Sequence, residues 1–492
     1  MSQANVSRRD FVKGLAIAGA MTAAAGTLAG CKKETASSLP QKWDEKVDVL
    51  IVGSGAAGLS AAVMAKDAGA DVLVLEKMSF MGGNTAISTA GMNAAGTEVQ
   101  KANGIEDDSP DIFFQDIMAG GDYKNYPELV RILADNADDA VAWLQELGAP
   151  FPGVGWAGGA SRQRAHTVTP SYGQGIIELL AKVARDKGVE IRTEAEAKNL
   201  FVEPDTNRVV GLEVSDKGNE ITIQANRAVI LTTGGFGANP DLIVRYDPSL
   251  KGFSTTNMKG ATGECMQMAR DVAHADVAGI NYIQIHPTVH AFDGKQLMIT
   301  EGVRGAGAIL VNQGGQRFIE ELERRDVVSA AEMQQEGKYA YLILAQNIAH
   351  SKIKVYKEQD MVIEADTIED LASKIGIDPA ALKKTVDTYN SYVENGEDLD
   401  FARRNMAGKI EEPPFYAIKV TPGVHHCMGG LRINTQTQVI DVWDQVIPGL
   451  YAAGEVTGGI HGSNRLGGTA IADCITFGRI AGQNAAGETP AA

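Results

Sequence analysis

Cysteine is scarce in this chain: four in 492 residues, at Cys31, Cys265, Cys427 and Cys474. Their wide spacing offers no disulfide framework, no CxxCH for attaching a c-type haem, and no iron–sulfur motif. Basic side chains are also in the minority, with 45 Lys and Arg against 62 Asp and Glu and a formal net charge of −17. That balance argues against nucleic acid as a partner and requires that any anionic ligand be drawn in by a local basic pocket. No apolar run is long enough to span a bilayer well. The hydrophobic content of 44% nevertheless marks a globular protein, and the length suggests two or three domains.

The first residues read as an address rather than as part of the globule. "SRRDFVKG" places Arg8 and Arg9 before the weakly apolar run "LAIAGAMTAAAGTLAG". A charged start, a short apolar stretch and small residues at its end describe an export signal, and the adjacent arginines resemble the twin-arginine type. "LAGC" at 28–31 resembles a lipoprotein cleavage box, with Cys31 as the lipidated residue. Residues 1–31 are therefore expected to be signal and 32–46 a linker. Three cysteines would remain in the mature chain. Lipid would be the sole membrane attachment, at the outer face of the membrane or in the periplasm.

"VDVLIVGSGAAGLSAAVMAKDAGADVLVLEK" at 47–77 is an apolar strand, a Gly53-x-Gly55-x-x-Gly58 turn, an Ala-rich helix, and a second strand ending at Glu76. The glycines allow a tight turn, close approach of a pyrophosphate and close helix–strand packing. The helix N-terminus offers backbone donors to phosphate, and Glu76 is placed for a ribose hydroxyl. This pattern fits NAD or FAD. Three later stretches favour FAD: the polar loop "GGNTAISTAGMNAAGT" (82–97), "AVILTTGGFGANP" (228–240), and "PGLYAAGEVTGG" (448–459). A nucleotide fold split into distant segments suits a long cofactor lying extended across it.

These segments, with "IHPT", "TEGVRGAGAILVN", "RRD", "VHHCMGG" and "LYAAGEVTGGIHGSNRLGGTAIADC", resemble in order the flavoprotein subunits of fumarate reductases and succinate dehydrogenases, with most similarity to the soluble periplasmic type. The resemblance implies an α/β fold in which a Rossmann-like FAD-binding domain, 47–279 and 416–492, is interrupted by an inserted α+β capping domain at 280–415. A helical pattern at 378–396 fits a cap that closes over the flavin and excludes water.

What the resemblance implies about chemistry is specific. Reducing an activated C=C bond takes a hydride to one carbon, a proton to the other, and stabilisation of the charge that builds on an attached carboxylate. Arg465 and His425 would clamp one carboxylate, and His286, Thr300 and Glu301 would hold the other end. Met298 would twist that carboxylate out of plane, and Gly91 and Gly468 would leave room beside the ring. Arg325 would donate the proton, recharged through Glu301 and Arg304. Asp326 would orient Arg325, and Arg324 would be a solvated neighbour. Flavin contacts would come from Gly53, Gly55, Ala57, Gly58, Glu76, Lys77, Gly83, Asn84, Thr85, Gly91, Met92, Thr233, Gly234, Glu264, Glu455, Ala470 and Ile471. A positively charged His426 would face the pyrimidine edge.

The sequence also departs from its relatives. Asn84 stands where membrane-bound members carry the histidine that links FAD covalently, so non-covalent FAD is expected, and no metal. Cys427 replaces an expected Thr beside both histidines, so it is expected to affect substrate preference or flavin potential. With no haem domain, electrons would come from a separate protein, a cytochrome c or a quinol-oxidising module. The retained clamp favours fumarate; urocanate, methacrylate, acrylate or another enoate is the alternative, and a flavin dehydrogenase or electron carrier the more remote one.

Overall fold

The computed structural model describes residues 39–168 and 171–491; Arg8, Arg9 and Cys31 lie outside the described residues. Strand β1 (Glu45–Val52) leads through Gly53 into helix α1 (Ala56–Asp67) and then β2 (Val72–Glu76). The inner half of β1 and all of β2 are buried, as expected for parallel strands covered on both faces. With β3 (Glu190–Thr193) and β4 (Asn219–Leu231) they form one sheet, in the order Gln438–Ile440, Val446–Ala452, β4, β1, β2, β3. Every pairing from Val446–Ala452 to β3 is parallel. An antiparallel hairpin (Ala195–Val202, Val209–Asp216) extends from β4.

Close packing in this sheet is set by what the glycines lack. A Cβ on Gly58 would lie 2.0 Å from the carbonyl oxygen of Gly53, so only glycine lets α1 start this close to the strand. A Cβ on Gly482, in the long helix Thr469–Gly487, would lie 2.2 Å from the carbonyl of Ala61. That helix therefore rests directly on α1.

A second hydrophobic core lies between Ile299 and Val420 in sequence. Its inner elements are the short helix α2 (Glu301–Gly305), helix α3 (Arg325–Met333), the wholly buried strand β6 (Ala340–Ala345) and the first part of β7 (Phe415–Cys427), while β5 (Ile283–His290) pairs with β7 and packs Ile283 and Ile285 against the first core. The predicted helix at 378–396 is present as Pro379–Asn395, started by Asp378, whose carboxylate accepts from two backbone N–H groups, and stopped by left-handed Gly396. Strand β7 ties the cores together. Its first half pairs with β6 in the second core, and Val424 and Cys427 near its end belong to the first. The fold is thus an α/β domain with a second core set on it as a cap, and among the described residues no helix is long and apolar enough to cross a membrane.

The cap is pinned by charges taken fully out of water. Arg317 meets Glu321 at 2.8 Å and Asp398 at 2.8 Å, while Arg403 meets the other oxygen of Glu321 at 3.0 Å. The Arg317 guanidinium stacks over Tyr389 and Phe401. Arg403 also donates to the carbonyls of Ala308 and Arg304, fixing the end of α2. Removing one member leaves buried charge without its counter-ion, which typically costs about 3–5 kcal/mol. Glu321→Ala is expected to destabilise the protein by about that amount, read by chemical denaturation; a loss under about 1 kcal/mol would show that the network is dispensable.

Candidate active site

Between the strand ends of the first sheet lies a groove of about 970 Å³ lined by Gly53, Gly55, Ala57, Glu76, Lys77, Gly83, Asn84, Thr85, Thr233, Gly234 and Glu264. It runs into a wider cleft, and both share Asn84, Thr85 and Glu455 as walls. Helix α1 has no side-chain bond from its N-cap residue Gly55, and the N–H of its first residue, Ala56, donates to the Thr85 hydroxyl at 3.3 Å, so the helix start faces the groove beside Thr85. Gly55 would meet nothing closer than 3.9 Å with a Cβ, leaving backbone-level access above it. The Glu76 carboxylate is held by the Ser54 N–H and hydroxyl and by the Met78 N–H, with lone pairs left for a ribose. These residues fit an extended dinucleotide. Gly58 serves packing and does not line the groove, and Met92 is fully buried with its carbonyl facing His166.

The wider cleft is where the distant sequence motifs meet. Antiparallel pairing of β5 with β7 sets Gln284 beside His426 and His286 beside Gly423, with register shifts between Gln284 and Ile285 and between His286 and Val289. The cleft walls include Gly91, His286, Met298, Thr300, Glu301, Arg325, His425, His426, Arg465, Gly468, Ala470 and Ile471. Gly468 is left-handed (φ 79°), and a Cβ there would fall 2.4 Å from Asn93. Thr300 caps α2, accepting from the Gly302 N–H, and is tied through its own N–H to the Tyr356 hydroxyl.

Arg325 begins α3 and is buried. Its Nε and Nη2 donate to one oxygen of Glu301 at 3.1 and 2.6 Å, and its Nη1 donates to Gln284 at 2.9 Å. The same amide oxygen accepts from Arg465 at 3.0 Å. Arg325, Arg304 and Arg465 hold the Glu301 carboxyl down at about 2 despite its burial. Burial, then neighbouring Arg325, pushes Arg465 down to about 9. Guanidinium rarely gives up its proton, so that strain is relieved by an arriving anion. Arg304 lies behind Glu301, wholly buried, donating to the Glu321 carbonyl.

The histidines are neutral donors and acceptors. Burial, followed by the arginines, pushes His286 far below the ordinary range; burial, then Arg325, does the same for His425. Nδ1 of His286 accepts from the Thr288 N–H at 3.2 Å, so Nε2 carries the hydrogen and has no partner among the described residues. Nδ1 of His425 is 2.7 Å from the Thr256 hydroxyl. His426 was expected to be positive. Its surroundings instead favour neutral imidazole, through burial first and then Arg465. Its Nδ1 lies 3.5 Å from Glu455, and its Nε2 is unpartnered among the described residues.

Asp326 does not hold Arg325 and pairs with Arg324 instead. Arg324 is not merely solvated: it also grips Asp122 of the first core at 2.7 and 3.1 Å, and this pushes the Asp122 carboxyl down to about 2. Adjacency in sequence misled, because successive residues at a helix start point in different directions. Cys427 is fully buried, its N–H bonded to Glu455 and its side chain set against Gly235, and it lines neither cavity. Gln284, which joins the two arginines, was not anticipated. Its position two residues before His286, on the same face of a strand, was the available signal.

A nucleotide groove opening onto a buried cationic cleft defines an FAD-dependent oxidoreductase. The FAD binding domain family matches residues 48–471. The chain is 44% identical over 463 residues to the fumarate reductase (cytochrome) of Shewanella frigidimarina, across 93% of this chain and 80% of that one. It is 36% identical to the urocanate reductase of Eggerthella lenta, across 92% and 77% respectively. The solved open conformation of a flavocytochrome c3 fumarate reductase superposes with a TM-score of 0.76 at 43% identity, over 90% of this chain and 79% of that one. The chain belongs to the FAD binding domain family and, within it, to the fumarate reductase flavoproteins.

The geometry separates two carboxylates near Arg325. Glu301→Gln is expected to lower turnover by roughly 10²-fold or more, and Asp326→Asn by less than about 3-fold, in steady-state reductase assays. Equal losses would return Asp326 to the role of holding Arg325.

Proposed function

We propose that this protein reduces the activated C=C bond of a dicarboxylate, fumarate to succinate. The convergence of Arg325, Arg465, His286 and His425 on one cleft is the observation that supports it most. Bound FAD supplies the hydride from N5. Arg465 and His425 hold one carboxylate. His286, through its unpartnered Nε2–H, holds the other with the Thr300 and Glu301 segment, and Met298 presses that carboxylate out of plane. Arg325 gives its proton to the second carbon. The developing carbanion is a far stronger base than guanidine, and the fixed positive charge stabilises it beforehand. Glu301, bonded to Arg325, and Arg304 behind it return a proton from solvent.

FAD is held non-covalently in this reading. The Asn84 side chain donates to Asn257 and Glu455 and accepts from the Met258 N–H, so it acts as a hydrogen-bonding wall. The flavin domain spans 47–279 and 416–492 and the cap 280–415. Export follows the twin-arginine route to the periplasm, Cys31 carries the lipid, and a c-type cytochrome or quinol-oxidising module delivers electrons. A different enoate is the competing reading, supported by the 36% identity to a urocanate reductase.

Reduced viologen oxidised anaerobically against fumarate, urocanate, methacrylate, acrylate and cinnamate tests the substrate. Fumarate is expected to be turned over fastest, and a faster rate with any other enoate contradicts the assignment. Arg325→Ala is expected to keep FAD bound while losing activity by at least about 10²–10⁴-fold. Substantial surviving turnover removes Arg325 as the acid.

A further inference from the structure

The buried face of α3 carries Arg325, Val328, Ser329 and Glu332. At 1.5 Å per residue, Glu332 stands about 10 Å along the axis from Arg325, away from the cleft. It has no solvent exposure and the backbone N–H of Ala340 beside it, but neither of its carboxyl oxygens completes a full hydrogen bond among the described residues. The same is true of the Ser329 hydroxyl, of Nε and Nη2 of the fully buried Arg304, and of Oε1 of Glu301. Folded proteins leave few such atoms, and a run of them beside an active site marks a path that holds water or moves a proton.

Burying a carboxyl that lacks a full set of hydrogen bonds costs stability that a leucine or methionine there would not. Helix α3 packs on β5, on β7 and on the turn Glu336–Lys338, which bring His286, His290, Lys419, His425, His426, Glu336 and Lys338 to its surroundings. Among the described residues, Arg304 is the charge that acts on Glu332. Glu332 in turn is among the charges felt by Arg304, after Glu301 and Arg325. Burial pushes the Glu332 carboxyl well above the ordinary carboxylate range, against the pull of the Arg304 charge and the Ala340 N–H.

We propose that Glu332 is the proton reservoir behind the arginine relay, recharging Arg304 after each turnover. This rests on the reductase reading above. When Arg325 has protonated the substrate carbon, an N–H proton of Arg304 passes through the Glu301 carboxylate to Arg325. The O–H bond of Glu332 then breaks and an N–H bond forms on Arg304. Glu332 is left as a carboxylate facing a guanidinium, and solvent water returns its proton. One proton enters per turnover and no electrons move along the path. Glu332 acts through Arg304 and positions a proton rather than touching substrate.

The test uses the FAD-loaded protein with Glu332→Gln and Glu332→Asp. Arg325 is already protonated in resting enzyme, so the first turnover does not need the reservoir. Pre-reduced Glu332→Gln mixed with fumarate in stopped flow is expected to reoxidise within about two-fold of wild type, then slow by roughly ten-fold or more in steady state. The steady-state rate should show a larger solvent deuterium isotope effect, with Glu332→Asp intermediate. In the infrared, wild type should show a protonated-carboxyl C=O band that is missing from Glu332→Gln, a readout independent of turnover. As pH rises through the raised pKa of Glu332, wild type should lose steady-state rate along a limb that Glu332→Gln lacks. Three results overturn the proposal: a wild-type steady-state rate, equal slowing of the first turnover, or an unchanged infrared band. A wild-type protein that turns over no enoate at all overturns the reductase reading, and the relay with it.

Discussion

Excess positive charge buried in an acidic protein is the constraint on which this structure turns. Arg325, Arg465 and Arg304 lie in or behind one cleft, with Glu301 bonded to Arg325 and Glu455 also on the cleft wall, its carboxyl pushed up by burial. Taking cations out of water is expensive unless counter-charge arrives. The depression of Glu301 to about 2 and of Arg465 to about 9 are two expressions of the same imbalance. A dianion entering the cleft would relieve both arginines facing it and, lying beside the flavin groove, would sit where reduction takes place. The neutral histidines add direction without adding to the repulsion.

The rest of the fold holds that imbalance in place. Strand β7 carries His425 and His426 and joins the two cores, so both histidines sit where the cores meet. The cluster of Arg317, Glu321, Asp398 and Arg403 braces α2, which presents Glu301 and Arg304. From the other side, the backbone at Gly158 and Gly467 packs against Glu301, where a Cβ on Gly158 would fall 2.0 Å from its Oε1. The partly exposed Arg324–Asp122 pair lies next to Arg325 in sequence. Its contribution is present above the ordinary carboxylate range and is lost as pH falls toward about 2, through the folded pKa of Asp122.

Much of this was legible in the sequence wherever backbone geometry forces residue choice. The Gly53–Gly58 turn, the buried β2 ending at Glu76 and the helix from Pro379 to Asn395 are local necessities, and their residues announce them. The cleft residues were legible because they sit in short motifs on strand ends and helix starts. What stayed hidden depends on partners far apart in the chain. Arg324 finds Asp122 across 202 positions, and Gln284 meets Arg465 across 181. Cys427 adjoins two site histidines in sequence but lies in the first core, because the register shift at His425 breaks the simple alternation of β7 there. Glu332 resembles an ordinary helix-surface acid until burial is known.

The most direct test of the central claim is equilibrium binding to the oxidised FAD-loaded protein of a non-reducible dicarboxylate, succinate, against the matched monocarboxylate butyrate. If the cleft is built around uncompensated cations, succinate should bind at least about 10²-fold more tightly, the second carboxylate answering a second buried charge. Equal affinities would mean that Arg325 and Arg465 are satisfied within the protein, and would contradict the account.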